Sequence, residues 1–195
     1  MSGLIVIPAY NTENTLKKLL HTLKDNYTLN VLVINDGSSD NTMQIANASS
    51  DFVINNPTNL GKGRSLKNGF EFASKNNYDF VITMDSDLQH PPEAISKFLD
   101  LHKQHLDNII IGARKLTKDM PFHRKMSNYL TSKLISMRIS QKILDSQCGY
   151  RLIPKPYFNN FKSKRPGFHF ESELILKFGL QNVKFEFVEI PTIYN

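Results

Sequence analysis

Short apolar runs alternate with longer amphipathic stretches along most of this chain. Leu4–Pro8, Val31–Ile34, Phe80–Met84 and Ile109–Gly112 are four or five residues each, rich in Ile and Val. Runs this continuous suit strands buried on both faces, as in a parallel sheet covered by helices. Between them, Asn14–Leu23 carries Leu16, Leu19, Leu20 and Leu23 at helical spacing, with Thr12 placed as a cap. A short helix is expected from about Thr42 and a short strand over Phe52–Ile54. The turn Asn59-Leu60-Gly61-Lys62-Gly63 leads to a helix with Leu66, Phe70 and Ala73, and Pro92–His102 reads as a further helix. The stretch from about Phe122 to Ile143 reads as helical, and Val183–Ile193 as one or two strands. This alternation predicts βαβ units and an α/β fold with a mainly parallel central sheet flanked by helices. No repeat or linker divides the chain, so one folding unit over residues 1–195 is expected.

That size supports a proper core, and 40% hydrophobic content is that of an ordinary globular protein rather than a disordered one. No apolar run reaches the roughly 18 residues that span a bilayer. The first strand begins almost at once, with no basic region before it, so no secretory signal is expected. The single Cys148 excludes an internal disulfide and a cysteine-built zinc site, and suits a reducing, cytoplasmic compartment. His102 and His105 are expected on a solvated helix face. The net charge of +6 is uneven. Arg114 to Lys142 holds eight basic residues against one acid, a net of +7, so the rest of the chain sums to −1.

The strand Phe80–Met84 is followed directly by Asp85-Ser86-Asp87, then Gln89, then Pro91-Pro92, which opens the next helix. Two carboxylates thus stand at the carboxyl end of a strand, where open α/β sheets bind their ligands. Hard cations such as Mg²⁺ or Mn²⁺ take oxygen ligands and are shared with substrate phosphates. Asp87, Gln89 and Asp85 are the candidate metal residues; the bland alternative is a solvated acidic turn capping a helix. Asp36 ends the second strand. It can accept from a base or a ribose, or simply close an Asx turn with Ser38 and Ser39. Pro8, Ala9, Tyr10 and Asn11 end the first strand and can line a base pocket, or Tyr10 can merely pack. Glu13 can reach a ribose, or be a first-turn acid favoured by the helix dipole. Lys62 and Asp85 complete the candidate nucleotide contacts. No GxGxxG follows the first strand and no GxxxxGK[ST] occurs, so neither a dinucleotide site nor a P-loop is expected.

Four segments in order resemble family 2 glycosyltransferases of the GT-A fold. They are Val6-Ile7-Pro8-Ala9-Tyr10-Asn11-Thr12-Glu13, Asn35-Asp36-Gly37-Ser38-Ser39-Asp40, Asn59-Leu60-Gly61-Lys62-Gly63 and Asp85-Ser86-Asp87-Leu88-Gln89-His90-Pro91. Within that family the chain is most similar to the polyprenyl-phosphate (dolichyl-phosphate) mannosyl- and glucosyltransferases. The resemblance implies a Rossmann-like GT-A domain whose nucleotide-sugar half spans about 1–113 and whose acceptor side spans about 114–195. It implies a cation on Asp87 and Gln89, a base contact at Asp36, and a nucleotide site lined by Pro8, Tyr10 and Glu13. Asp145-Ser146-Gln147-Cys148-Gly149-Tyr150-Arg151-Leu152 is similar to a later family segment. Many relatives have two acids where this chain has Asn35-Asp36, and several carry transmembrane helices, of which none is expected in residues 1–195.

The expected reaction is an inverting, metal-dependent hexosyl transfer from a UDP- or GDP-linked sugar. The expected acceptor is a polyprenyl phosphate. Such an acceptor is already anionic, so it needs cations rather than a strong base. Arg114, Arg124 and Arg151 are the candidates, since guanidinium grips phosphate as a fork; each can also be a surface arginine. The alternative acceptor is a saccharide or other hydroxyl in cell-envelope glycan synthesis. That needs a base, for which Asp145 and Glu173, with Glu171 beside it, are the available carboxylates. The candidate catalytic residues are therefore Asp85, Asp87, Arg151, Asp145 and Glu173. Apolar residues interleave with the basic ones after Phe122, which fits peripheral contact with an anionic membrane on its inner face. They fit equally a helix packed on the sheet. A basic nucleic-acid-binding module is the remote alternative, and it leaves the acidic strand-end motif unexplained.

Overall fold

The computed structural model describes residues 1–114, 122–161 and 170–191, with the backbone alone for 122–124. Among the described residues seven strands form one sheet: β1 (Gly3–Ala9), β2 (Asn30–Asn35), β3 (Phe52–Asn55), β4 (Phe80–Thr83), β5 (Ile109–Arg114), β6 (Arg151–Pro154) and β7 (Phe185–Ile190). The helices among the described residues are α1 (Glu13–Asn26), α2 (Thr42–Ser49), α3 (Lys62–Lys75), α4 (Ile95–Gln104), α5 (Phe122–Ile139), α6 (Lys155–Asn160) and α7 (Phe170–Gly179). The sheet order is β3-β2-β1-β4-β6-β5-β7. Every pairing is parallel except those of β6, which runs antiparallel to β4 and β5. The architecture is that of the GT-A fold.

From β1 the chain builds outward to β2 and β3, then returns to β4 on the other side of β1. The order of strands reverses there, which opens a crevice beyond the carboxyl ends of β1 and β4. The apolar runs supply the core: Leu4, Ile5, Val6 and Ile7 of β1 and Val81 and Ile82 of β4 are fully buried. Leu16, Leu19, Leu20 and Leu23 form the buried stripe of α1, as their spacing requires. On α3, Gly69 lets the helix approach the sheet closely; a Cβ there would lie 2.4 Å from Val6 Cγ1. Truncating a residue such as Ile82 to Ala would cost about 2–5 kcal/mol.

Several expectations change. The Pro92–His102 helix begins as a 3-10 turn, Pro92–Ala94, and becomes α4 only at Ile95, because prolines supply no amide donors. His102 is buried rather than solvated, with its ring 5.0 Å from that of Phe80. The helix after Phe122 stops at Ile139, before Ser140 at φ 54°. Among the described residues the last stretch forms one strand, Phe185–Ile190, and residues 192–193 of the expected range lie outside them. Strand β6 and helix α6 had no clear signal. Leu152-Ile153 is too short a run to mark a strand, and β6 exists because β4 and β5 pair with it on both sides.

Candidate active site

A cleft of about 470 Å³ lies at the carboxyl edge of the sheet. That volume is within the range of small-molecule sites. Pro8, Ala9 and Tyr10 line it from the end of β1, and Asp36 from the end of β2. Asn59, Gly61 and Lys62 line it from the start of α3, and Asp85, Ser86 and Asp87 from the end of β4. Tyr10 is 47% exposed, so one aromatic face is available to a ligand.

The acidic motif is held by its own backbone. Met84 is fully buried, which fixes where the strand stops. The Ser86 carbonyl accepts from Thr15 Oγ1 at 2.7 Å, tying the turn to α1. Leu88 then adopts φ 61°, a left-handed conformation that costs a branched side chain about 1–2 kcal/mol. This brings the Gln89 amide onto Asp87 Oδ1 at 3.0 Å. Asp87 itself is exposed. A carboxylate offers about four lone-pair sites, so Asp87 keeps acceptor capacity toward the cleft. Strain of this kind persists where surrounding contacts over-determine the turn, and it clusters at functional sites.

Lys62, in the first turn of α3, is the electrostatic centre. Its Nζ lies 2.6 Å from Asp85 Oδ1 and 2.9 Å from Glu171 Oε1, in the first turn of α7. Burial opposes the Lys62 charge, but the two carboxylates outweigh it and hold its pKa above the ordinary lysine value. Burial likewise pushes Asp85 up, and Lys62 more than reverses this, so Asp85 stays below the usual carboxylate range. Gly149 closes over the pair. A Cβ there would stand 2.7 Å from Lys62 Nζ and 2.9 Å from Asp85 Oδ2. Thr83 Oγ1 donates to the Gly149 carbonyl at 2.7 Å and fixes this approach.

On the β2 side the polar residues mostly organise loops. Asp36 is 3% exposed and accepts from Asn56 Nδ2 and from the amides of Leu60 and Gly61, at 2.7, 3.0 and 2.8 Å. It therefore shapes the wall made by Asn59–Gly61 while still lining the cleft. Asn11, at φ 52°, is turned toward β2; its Oδ1 accepts from the Ser39 amide. Glu13 Oε2 accepts from both the Asn41 amide and Asn41 Nδ2, at the N-terminus of α2. The candidate nucleotide contacts Asn11 and Glu13 are thus engaged in joining two loops, and neither is among the residues lining the cleft.

The acceptor side departs furthest from expectation. Arg151 begins β6 opposite Thr83 and is 2% exposed. Its Nε, Nη1 and Nη2 donate to the carbonyls of Cys148, Glu171 and Ser146 at 2.8, 2.7 and 3.0 Å. The guanidinium expected to grip phosphate instead binds three carbonyls, two in the loop before β6 and one in α7. Asp145, a candidate base, is 1% exposed and gripped as a fork by Arg114, at 2.7 and 3.0 Å. Burial raises the Asp145 pKa, but Arg114 reverses this and keeps it below the ordinary carboxylate value. Arg114 does stand on the active-site side: its charge helps keep Asp85 ionised. Glu173 lies in the first turn of α7 beside Glu171, and of the two it is Glu171 that pairs with Lys62 at the cleft. The Arg124 side chain falls outside the described residues.

The sequence assigns no site role to Asn59, Gly61 or Ser86, and offers Glu171 only as a candidate base beside Glu173, not as the partner of Lys62. The glycine turn and the spacing of Glu171 and Glu173 carried a signal, but only the fold decides which carboxylate meets Lys62. Among the described residues no three His, Cys, Asp or Glu side chains converge as a preformed metal cage. A divalent cation that keeps waters and substrate phosphates in its shell needs only one or two carboxylates. Asp87 fits that demand, with Gln89 beside it, whereas Asp85 Oδ1 is already neutralised by Lys62.

The model of the family described as Glycosyl transferase family 2 matches residues 4–161. An uncharacterized protein of Methanocaldococcus jannaschii is 33% identical over 170 residues, covering 80% of this chain and 73% of that protein. UDP-N-acetylglucosamine–dolichyl-phosphate N-acetylglucosaminyltransferase of Methanococcus voltae is 27% identical over 77% of this chain and 68% of its own length. Dolichol-phosphate mannosyltransferase of Pyrococcus furiosus is 29% identical over 96% of this chain, which spans 54% of that enzyme. Glucosyl-3-phosphoglycerate synthase of Mycobacterium tuberculosis has been solved with Mn²⁺, UDP and glucosyl-3-phosphoglycerate. It superimposes with a TM-score of 0.76 over 100% of this chain and 72% of its own, at 18% identity.

Proposed function

The chain belongs to glycosyl transferase family 2, and from that premise we propose that it moves a sugar from a nucleoside-diphosphate donor to a polyprenyl phosphate with inversion. The observation that carries this reading is the cleft that joins Tyr10, Lys62, Asp85 and Asp87 at the edge where β1 and β4 diverge. Tyr10 offers the base a stacking face, and the wall shaped by Asp36 borders the ribose. Asp87 and Gln89 would hold Mg²⁺ or Mn²⁺ together with the diphosphate oxygens. When bound, the cation supplies Lewis-acid neutralisation of the leaving diphosphate. Lys62, its charge shared between Asp85 and Glu171, holds these two carboxylates in place at the cleft wall.

In the transfer, the bond from the anomeric carbon to the donor phosphate oxygen breaks, and its electron pair leaves with the nucleoside diphosphate. An oxygen of the acceptor phosphate forms the new bond on the opposite face. No proton moves, so no general base is needed. The names of the dolichyl-phosphate relatives support this acceptor, as does the engagement of the carboxylates: Asp145 is buried on Arg114, and Glu171 shares Lys62 with Asp85. In this reading residues of about 1–113 hold the donor. The basic stretch from Arg114 onward, including Arg124, draws the acceptor phosphate.

Glu171 favours a second reading, transfer to a saccharide hydroxyl. It reaches the cleft edge 2.9 Å from Lys62 and would take the hydroxyl proton there.

A thermal-shift panel of UDP- and GDP-sugars with Mn²⁺ tests the donor site, because a ligand bound only by the native state raises Tm. One donor should raise Tm only when Mn²⁺ is present. Radiolabelled sugar should then pass to a short polyprenyl phosphate. No Tm response to any donor overturns the donor site, and transfer to a sugar hydroxyl but not to polyprenyl phosphate selects the second reading.

A further inference from the structure

Helix α5 docks through a mixed face of Asn128, Ser132, Ile135 and Ile139. Asn128 and Ser132 are buried; Ser132 Oγ donates to Asn128 Oδ1 at 3.3 Å and shares a hydrogen bond with the Ser146 hydroxyl at 3.0 Å, for which Ser146 can be the donor. The Ser146 amide donates back to Ser132 Oγ, and the Ile143 amide to Ser136 Oγ, both at 2.9 Å. These bonds, with Ile135 and Ile139, fix the rotation of the helix. They leave Met126, Tyr129, Leu130, Leu134 and Met137 on the outside, each at least 50% exposed. Those positions recur at three and four residues, so they form one stripe. Five of the twelve exposed large hydrophobics among the described residues thus fall on one helix, a concentration that marks a contact surface.

The charges around the stripe select its partner. Lys133, Arg138 and Lys142 are exposed, and residues 122–144 contain no acid. A second copy laid on this face would bring lysine against lysine with no carboxylate between them. An anionic lipid surface supplies both an apolar layer and the opposite charge. No helix among the described residues is long and apolar enough to cross a membrane, so the contact is an interfacial one.

We propose that the outer face of α5 lies in the headgroup region of an anionic bilayer. Met126, Tyr129, Leu130, Leu134 and Met137 enter the acyl boundary, and Lys133, Arg138 and Lys142 meet lipid phosphates. Because α5 follows β5 and packs on α7, this contact holds the cleft edge carrying Glu171 near the lipid. The inference rests on the helix and not on the identity of the acceptor.

Vesicle sedimentation tests it, using equimolar phosphatidylglycerol and phosphatidylcholine against phosphatidylcholine alone, both free of polyprenyl phosphate. The full chain should pellet with the anionic vesicles, remain in the supernatant with neutral ones, and be released by high salt. Lys133→Gln and Lys142→Gln should each lower partitioning about fivefold. Leu130→Glu with Leu134→Glu should abolish pelleting while leaving Tm within about two degrees of the parent, since both sites are exposed. The proposal is overturned by failure to pellet with either vesicle, by equal pelleting with both, or by pelleting that survives the double leucine variant. It is also overturned if light scattering finds a dimer that Leu134→Glu disperses. Polyprenyl transfer can fail without altering any of these outcomes.

Discussion

Asp87 and Arg151 both stand at the carboxyl edge of the sheet, one after β4 and the other at the start of neighbouring β6. Asp87 is exposed on the cleft, with a single backbone amide on its carboxylate. Arg151 is 2% exposed, with a carbonyl on each nitrogen. The same contrast runs through the two sides of the molecule. From β1 to β4, charged groups at strand ends line an open space. From β5 to β7, Arg114, Asp145 and Arg151 hold loops to the sheet. The antiparallel β6 accounts for much of this difference. Its first residue, not its last, meets the active edge, so the loop before it must be clamped there. A charged residue near a reactive edge is therefore not by that fact a ligand; what matters is whether its bonding capacity is already used.

The largest expected effect lies on the open side. Asp87→Ala should lower transfer by about a hundredfold or more, the scale for losing a group that stabilises developing charge, with Tm near that of the parent. Release of nucleoside diphosphate measures it. Near-normal turnover in a folded Asp87→Ala protein would break the contrast at its active end.

Arg151→Met addresses the clamped side. It leaves the buried carbonyls of Cys148 and Ser146 without that donor, at about 1–3 kcal/mol each, so urea unfolding should show a loss of at least about 2 kcal/mol. The donor-induced rise in Tm should persist in whatever folds. A stable variant with weakened acceptor use would instead return Arg151 to the phosphate-binding role its sequence position implied.

The two sides were unequally legible for the same reason. Asp85-Ser86-Asp87 could be placed because a buried strand and Pro91-Pro92 bracket it, and local pattern alone then sets the turn at the sheet edge. The elements β1, α1, β2, α3 and β5 were likewise visible in their apolar periodicity. The fate of Arg151, Asp145 and Glu171 depends on β6 and α7, whose positions come from pairing and packing between distant segments. Glu13 and Asn11 were read as ligands because they follow β1; their partners, Asn41 and Ser39, lie some 28 residues on. Side-chain periodicity records which face is buried. It does not record which polar partner arrives from another part of the chain.

Asp145 sharpens the comparison through pH. Its folded pKa lies below the ordinary value, so near pH 4 the unfolded chain binds more protons than the native one. The pair's contribution is therefore fully present above the unfolded pKa of roughly 4, and is lost as pH falls through the folded value. Asp145→Asn should cost about 2 kcal/mol at neutral pH, because the two charge-assisted bonds from Arg114 are weakened. It should also flatten the acid limb of a Tm-against-pH curve. An unchanged acid limb would mean that the pair contributes no pH-dependent stability and that the clamp is held by other contacts.

The smallest effect separates loop joining from ligand binding at the β1–β2 end. Glu13 Oε2 accepts two hydrogen bonds from Asn41, the residue preceding α2. Losing such a bond at a helix start costs about 1 kcal/mol. Glu13→Ala should therefore lower stability by about that amount and leave the donor-induced rise in Tm unchanged. Glu13→Gln keeps an acceptor oxygen and should recover part of the loss. If donor affinity falls in both variants while stability holds, Glu13 turns into the cleft when nucleotide binds. The division between the open and the clamped regions would then shift by one residue, with the β2 loop freed to move and the Asp36 wall unaffected.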